Sequence, residues 1–243
     1  MKIKKFFKSF LVIKFFRYYY GLLRFKLLRK FYGIKKLEEK KGIIDGTVEY
    51  NMTAYDHVSV DFNMERTSWL IYLLLSLEQI NKDSKILIVG PRTENEILHL
   101  EGYGFKNITA VDLMSYSPKV ILQDMHSLNL KDNSYDAVIT GWTLSYSNNP
   151  KLVIDNIVNV LKNNSILIIG IQYMKDFEIN KDKYNPKNRI NTINQIKELL
   201  GKNLKKIIFQ NEAPLKDLKD YEIKKRTGLS ATNTIGCFEI QKK

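Results

Sequence analysis

The chain has 243 residues, of which 44% are hydrophobic, enough for the core of one α/β domain with a short appendage. Its single cysteine, Cys237, excludes an internal disulfide framework, and its three widely spaced histidines give no zinc-binding pattern. The net charge of +13 is concentrated in residues 1–41, where 14 Lys and Arg and two Glu give a net charge of +12. The nearly neutral remainder argues against a broad nucleic-acid-binding surface.

Residues 1–41 form a basic, aromatic leader in which Lys and Arg alternate with large apolar residues. The helical spacing predicts two short amphipathic helices within residues 1–33, hinged near Gly21. Charges interrupt every apolar run before it reaches 18 residues, so no transmembrane span is predicted. Lys14 and Arg17 also interrupt the apolar core that a signal peptide requires.

Two uses of this leader fit its pattern. A helix with aromatic residues on one face and Lys or Arg on the other binds in the headgroup region of an anionic membrane. Alternatively, the helices pack on the protein's own domain and expose a basic face to solvent; RNA binding is a weaker third use. Because several Phe residues must be buried somewhere, we favour the membrane, and we expect a cytoplasmic protein at its inner face.

The remaining residues, 42–243, are predicted to form one α/β domain. Residues 42–63 lack clear periodicity and predict an irregular lead-in, whereas residues 64–81 have the spacing of a helix. From there strands and helices alternate, which predicts a mostly parallel, doubly wound sheet. The predicted strands are 85–89, 108–113, 120–122, 137–140, 165–171, 206–209 and 235–241, and the predicted helices are one from Arg92 to near Gly104, 151–161 and 191–200.

The first two of these strands end in residues that suit a nucleotide. Strand one runs into Gly90, and strand two ends with Asp112, 22 positions later. In nucleotide-binding βαβ units the glycine allows a tight turn at a helix N-terminus, and the acid binds a ribose hydroxyl. The pair therefore predicts a nucleotide-containing cofactor at this edge of the sheet, with an ordinary tight turn and a turn acid as the alternatives.

Two further segments, SLNLKDNSYDAVI at 127–139 and NSILIIGI at 164–171, complete a recognisable order of motifs. In this order the chain resembles the class I S-adenosylmethionine-dependent methyltransferases, in particular the branch that acts on small molecules. The resemblance covers residues 85–172 by motifs and 64–241 by layout. It implies a seven-stranded sheet with an antiparallel final strand, and S-adenosylmethionine as the cofactor.

The same resemblance implies roles for individual residues. Gly90 would lie at the methionine and ribose part of the cofactor, and Asp112 would bind the ribose hydroxyls. Asp124 and Met125 would contact the adenine. Trp142, directly after the fourth strand, would border the cofactor or the substrate.

The first motif departs from the family pattern at three positions. Ile88 occupies the position of an acid, while Arg92 and Glu94 occupy positions where the family has further glycines. We expect compensation, in which Arg92 pairs with the methionine carboxylate and Glu94 with its amine at the positive end of the helix. His126 is the candidate general base, because an imidazole titrates near neutral pH; an ordinary polar loop histidine is equally compatible with the sequence.

The principal hypothesis is an S-adenosylmethionine-dependent methyltransferase peripheral to a membrane. Its acceptor would be a small molecule or a lipid-linked group, such as a lipid-linked sugar, a polysaccharide precursor or a lipid. The alternative is a binding or scaffold protein that kept the fold and lost catalysis. A nucleic-acid methyltransferase is disfavoured because the sequence lacks the Asn-Pro-Pro-aromatic signature, and a nicotinamide oxidoreductase because the turn has one glycine and is followed by DNSYD at 132–136.

Overall fold

A computed structural model of the protein describes residues 8–38, 46–63, 65–174, 190–211 and 231–242. Within these residues, a seven-stranded sheet is flanked by helices, and a separate two-stranded sheet pairs β1 with β4. The helices are α1 (Lys14–Tyr32), α2 (Thr47–Ala54), α3 (Val58–Asn63), α4 (Glu65–Leu75), α5 (Asn95–Gly102), α6 (Pro150–Val160) and α7 (Ile193–Leu200). The strands are β1 (Lys35–Lys36), β2 (Lys85–Val89), β3 (Asn107–Asp112), β4 (Met114–Ser115), β5 (Val120–Leu122), β6 (Tyr135–Gly141), β7 (Leu161–Met174), β8 (Leu204–Gln210) and β9 (Ala231–Ile240).

The strand order of the large sheet is β5-β3-β2-β6-β7-β9-β8. Strands β5, β3, β2, β6 and β7 are parallel, whereas β9 lies antiparallel between β7 and β8. This confirms the predicted α/β class, the mostly parallel seven-stranded sheet and the antiparallel final strand. After β2 the chain adds β3 and β5 on one side of it and then returns to add β6 on the other. Ligands of open α/β sheets bind at such a point, where the order of the strands reverses.

The central strands are buried on both faces, which explains their nearly continuous aliphatic sequence. In β2, Leu87 and Val89 face a core shared with α6 and α7, whereas Ile86 and Ile88 face a core shared with α4 and α5. Local signals set the helix ends: the Asn149 side chain accepts a hydrogen bond from Leu152 N at the start of α6. The C-terminal edge of the parallel strands is thereby held rigidly from both sides.

The prediction of two leader helices hinged near Gly21 was wrong, because α1 is one continuous helix of 19 residues. Gly21 is instead a packing position: a Cβ there would lie 2.3 Å from Cε1 of Phe62. The missing side chain lets α1 approach α3 closely. The face of α1 that carries Gly21 and Phe25 contributes to a third core, together with Tyr55 and Tyr116. Residues 1–7 and the expected domain boundary at residue 41 lie outside the described residues.

Two further predictions in this region were wrong. Residues 42–63 were expected to be irregular, but α2 and α3 occupy 47–54 and 58–63, joined by a 3-10 turn at Tyr55–His57. These helices are short and are stabilised by packing beneath α1, so their periodicity is weak. The helix predicted for 64–81 ends at Leu75, and residues 76–84 form turns that lead to β2. No helix among the described residues is long and apolar enough to span a membrane.

Candidate active site

A cavity with about 850 Å³ of empty space, including solvent at its mouth, opens at the C-terminal edge of β2, β3 and β6. The turn after β2 and the ends of β3 and β6 form its floor, and α2, α3 and α4 contribute the opposite wall. Its lining includes the charged residues Asp61, Arg66, Arg92, Glu96 and Asp112, and the aromatic Trp142.

Gly90 forms the tight turn that the sequence predicted. Its φ is +72°, a conformation that side chains disfavour. A Cβ at this position would lie 2.4 Å from Oγ1 of Thr143, whose hydroxyl donates to the Val89 carbonyl at 3.1 Å. Both the backbone conformation and the close approach of the loop after β6 therefore require glycine, and Gly90 lines the cavity.

Asp112 ends β3 and also lines the cavity. Its Oδ2 accepts a hydrogen bond from Arg92 N at 2.8 Å, and its Oδ1 accepts one from Met114 N at 3.4 Å. Burial raises the pKa of Asp112, and these backbone donors oppose that shift. The carboxylate thus joins the ends of β2 and β3 and faces the cavity, the position in which an acid can bind vicinal hydroxyls.

Arg92 stands where the family pattern has a glycine, and it keeps the left-handed backbone conformation that favours glycine, with a φ of +51°. Its guanidinium contacts the Asp61 carboxylate at 3.1 Å and Oδ1 of Asn51 at 3.0 Å, and its carbonyl accepts from the Tyr55 hydroxyl at 2.9 Å. These contacts hold the residue in a strained region. Arg92 lines the cavity, but its guanidinium is already paired with Asp61, so a ligand carboxylate would have to share the guanidinium with that side chain.

Glu94 is placed away from the cavity wall, which departs from its predicted contact with the methionine amine. The side chain is fully buried. It accepts hydrogen bonds from Nε and Nη2 of Arg24 at 2.5 and 2.8 Å, and its Oε1 also accepts from the hydroxyl of Ser117. Both carboxylate oxygens are engaged by the protein, so this residue connects the turn after β2 to α1.

The predicted residues after β5 separate into two groups. Met125 lines the cavity, but the cavity wall within the described residues does not include Asp124 or His126. His126 is buried, with Nδ1 2.7 Å from Asp124 Oδ1 and Nε2 2.7 Å from Ser147 Oγ. The imidazole therefore connects the loop after β5 to the loop after β6, and neither ring nitrogen faces an acceptor in the cavity.

Trp142 lies at the end of β6, in the cavity wall as expected. Its φ is +61°, and its backbone N–H donates to the Gly170 carbonyl at 2.6 Å. The ring stacks under the Arg66 guanidinium, with 4.4 Å from Cζ to the ring centroid. The indole Nε1, although buried, has no hydrogen-bond partner among the described residues. The side chain offers a free donor beside a cation.

Sequence analysis missed two charged residues in this wall, Arg66 and Glu96. Burial raises the pKa of Glu96 to about 8, and its Oε2 has no hydrogen-bond partner among the described residues. Burial and the nearby Arg92 lower the pKa of Arg66, whose Nε likewise lacks a partner within the described part of the chain. A buried, unpaired polar atom is costly unless a ligand satisfies it. The one signal in the sequence for a role in binding is that Arg66 and Glu96 each lie in the first turn of a helix, α4 and α5, and that Glu96 follows the glycine turn closely.

The site shows no arrangement for a metal ion. Within the described ranges, no group of three or more His, Cys, Asp or Glu is placed to hold one. What the wall offers instead is two guanidinium groups, three carboxylates and an indole N–H around one cavity. Such a wall can bind a ligand that carries both an anionic and a cationic group beside a sugar and an apolar ring.

The sequence of residues 87–169, about a third of the chain, matches the family model described as a methyltransferase domain. This segment contains the turn at Gly90, the acid Asp112 and the end of β6 that carries Trp142. No curated protein matches the chain significantly.

Several solved structures have the same fold. A chain from the complex of the Haloferax volcanii Trm112 methyltransferase activator is 13% identical, with 80% of this chain and 98% of that chain covered and a TM-score of 0.56. A geranyl diphosphate methyltransferase in complex with SAM is 9% identical, covering 81% and 91% with a TM-score of 0.53. The [4+2]-cyclase SpnF is 16% identical, covering 92% and 96% with a TM-score of 0.53. At these identities the likeness concerns the fold alone.

Proposed function

Because the chain belongs to the class I S-adenosylmethionine-dependent methyltransferases, we propose that it catalyses methyl transfer from this cofactor to an acceptor at the mouth of the cavity. The observation that carries the proposal is the convergence of Gly90, Asp112 and Trp142 on one cavity, at the edge of the sheet where the family binds its cofactor. The cofactor supplies an activated methyl group on a sulfonium sulfur. Transfer then requires mainly that the nucleophile is held in line and that water is excluded.

The chain's own residues fit the two ends of this cofactor. Asp112 is placed to bind the ribose hydroxyls, beside the apolar wall formed by Val111, Leu113 and Met125. At the other end, the unpaired atoms of Arg66 and Glu96 suit the carboxylate and the ammonium of the methionine part. These two residues thus replace the acid absent at Ile88, and they take the roles first expected of Arg92 and Glu94.

Titration calorimetry of S-adenosylmethionine and S-adenosylhomocysteine into the full chain tests this proposal. We expect a dissociation constant of about 1 to 100 μM, a free energy of about −8 to −5 kcal/mol. Asp112→Ala should weaken binding by about 100-fold, since the ribose loses two charge-assisted hydrogen bonds. Asp155→Ala, an exposed acid on α6 in an ion pair with Lys151, is the matched control.

Absence of binding to the folded wild type would refute the cofactor site. Binding without turnover on a panel of small-molecule and lipid-linked acceptors would instead support the alternative function, a binding or scaffold protein. The altered first motif motivates that alternative, because Arg92 and Glu94 both serve internal contacts. Turnover of any acceptor would exclude it.

We further propose that the protein is peripheral to a membrane, through the outer face of α1. Large apolar side chains recur there every three or four residues, and each is 44 to 74% exposed. Lys26 and Lys30 lie beside these side chains on α1 and are exposed. The exposed apolar residues of this face, here termed the α1 stripe, are Phe16, Tyr20, Leu23, Leu27 and Phe31.

The positive charge of the N-terminal segment indicates which partner the α1 stripe would bind. Residues 1–41 hold +12 of the net charge of +13, and a basic helix with aromatic residues on its free face suits an anionic lipid surface. This position at the bilayer would give the cavity access to a lipid-linked acceptor. The opposite face of α1 packs on the domain, so both uses expected of the leader are combined in one helix.

Co-sedimentation with vesicles of phosphatidylglycerol and phosphatidylcholine tests the membrane proposal. Leu23→Ser with Phe31→Ser should reduce the bound fraction about 10-fold or more, because each apolar side chain contributes about 1.5 to 3 kcal/mol when buried. Phe209→Ser, an aromatic residue of β8 that is 42% exposed, is the matched control. Equal sedimentation of the double variant and the wild type would show that the stripe is not the lipid-binding surface.

A further inference from the structure

The turn after β2 is bound to α1 through a buried ion pair. Arg24, in the middle of α1, donates two hydrogen bonds to the fully buried Glu94 carboxylate, at 2.5 and 2.8 Å. The hydrogen bonds to Glu94 raise the pKa of Arg24, so its guanidinium stays charged. A bidentate guanidinium–carboxylate contact is directional as well as strong. Glu94 is four residues after Gly90, in the turn that borders the cavity.

A second contact joins the same helix to the residue that begins α5. Arg17 is 2% exposed, and its Nε donates to Asn95 Oδ1 at 3.0 Å. Asn95 in turn donates from Nδ2 to Oγ1 of Thr67 at 3.1 Å, and Thr67 lines the cavity. The position of α1 is therefore transmitted to Glu94 and Asn95, at the end of the turn where α5 begins, and through Asn95 to Thr67 in the opposite wall.

The same helix presents the α1 stripe on its other side. Arg17, Gly21 and Phe25 follow each other at intervals of four residues and are buried, whereas the stripe lies on the opposite face. One rigid element thus carries the proposed lipid surface on one face and the anchors of the cofactor turn on the other.

We propose that α1 couples lipid binding to cofactor binding, with Arg24 as the positioning residue that acts through Glu94. This coupling rests on the proposed function. The cofactor turn is competent when α1 is seated on the domain, because an unseated helix would leave the Glu94 carboxylate buried without its partner. The proposal requires that a bilayer binds the stripe more tightly when the helix is seated than when it is not, because a ligand that binds both states equally shifts neither. By linkage, each ligand must then raise the affinity for the other by the same factor.

Calorimetry of S-adenosylmethionine with the full chain, with and without phosphatidylglycerol/phosphatidylcholine vesicles, measures this coupling. We expect about 10-fold tighter cofactor binding with vesicles, within the usual range for linked sites. The affinity for vesicles, measured by sedimentation, should increase by the same factor when cofactor is present. A purely structural role of α1 would not produce this reciprocal change.

Arg24→Gln should weaken cofactor binding about 10-fold without vesicles and abolish the response to vesicles. Arg29→Gln is the matched control, because Arg29 lies five residues further along α1, pairs with the exposed Asp56 at 3.4 Å and lies 5.8 Å from the centroid of the Phe25 ring, with no bond to Glu94. If Arg24→Gln fails to fold, Arg24→Lys, which keeps the charge but loses the bidentate contact, should give an intermediate response. Glu94→Gln should have the same effect, and the double variant should be no weaker than either single variant.

The outcomes separate this inference from the function on which it rests. Absence of cofactor binding in every sample would refute the methyltransferase proposal, and with it the coupling. Cofactor binding that is equal with and without vesicles, or unchanged in Arg24→Gln, would overturn the coupling while the cofactor site stands.

Discussion

The two walls of the cavity are built in different ways. The sheet edge contributes Gly90 and Asp112 through short turns whose backbone is held by β-ladder and turn hydrogen bonds. The helical wall contributes Asp61 and Arg66 from α3 and α4, whose positions depend on side-chain ion pairs, ring stacking and packing. The glycine and the acid of the first wall match the motif order of the methyltransferase domain, whereas the second wall lies outside the matched residues 87–169.

This difference explains how the turn can lack two glycines and still fold as a turn. At Arg92 and Glu94 the side chains point into the helical layer and bind Asp61 and Arg24. Cofactor binding in this protein therefore depends on the helical wall more than the family pattern implies. Substitutions in the two walls should therefore differ in their effects on stability and on cofactor affinity. Four predictions, from the largest expected effect to the smallest, test this difference.

Gly90→Ala should have the largest effect, about 4 kcal/mol of unfolding free energy, since strain at positive φ and overpacking against Thr143 add. Gly201→Ala is the control, because Gly201 also has positive φ but no atom within 4 Å of a Cβ. Urea unfolding of both variants isolates the clash. Similar losses in the two would show that the Thr143 contact does not constrain the sheet-edge wall.

Asp61→Ala should cost about 2 kcal/mol, because it leaves the Arg92 guanidinium mostly buried and without its carboxylate. Asp56→Ala removes an acid from an exposed ion pair and should cost less than about 0.5 kcal/mol. Chemical denaturation and cofactor calorimetry on both variants check this. Unchanged cofactor affinity in Asp61→Ala would mean that the helical wall does not support the turn.

Glu96 should make stability depend on pH. The folded protein holds this proton up to about pH 8, whereas the unfolded chain releases it near the ordinary pKa of 4.5. Stability contributed by Glu96 is thus complete below pH 4.5 and declines as pH rises toward 8, by at most about 1.4 kcal/mol per pH unit.

Thermal unfolding of the wild type and Glu96→Gln between pH 6 and 8.5 measures this slope. The variant should be flatter and more stable at pH 8. Bound cofactor should reduce the wild-type slope, because the ligand's ammonium favours the ionised carboxylate. Parallel curves without ligand would show that Glu96 is already ionised in the folded protein.

His126→Gln should have the smallest effect, about 1 kcal/mol of stability, since glutamine keeps one of the two hydrogen bonds to Asp124 and Ser147. His57→Gln, at an exposed histidine, is the control for denaturation. Once an acceptor is identified, the pH dependence of kcat should be the same in His126→Gln and the wild type. If His126→Gln lost a limb of the pH profile of kcat that the wild type shows, His126 would instead be the general base.

Sequence periodicity was sufficient for the sheet domain. The predicted first strand matches β2 residue for residue, and Gly90, Asp112 and Trp142 all line the cavity. Buried parallel strands are long aliphatic runs, and the turns after them must satisfy local φ and hydrogen-bond requirements, so both leave clear signals.

The helical wall could not be predicted in the same way. Asp61 and Arg66 are ordinary charged residues on short helices, and only the tertiary fold brings them to Arg92 and the cavity. The same holds for Gly21, which packs against Phe62 and does not form a hinge. It also holds for Glu94, whose partner Arg24 is 70 positions away in the sequence. The sequence by itself determined the sheet and the turn, because those depend on neighbours along the chain. Only the tertiary structure decided which charges meet, because ion pairs between distant helices have no spacing that a sequence could display.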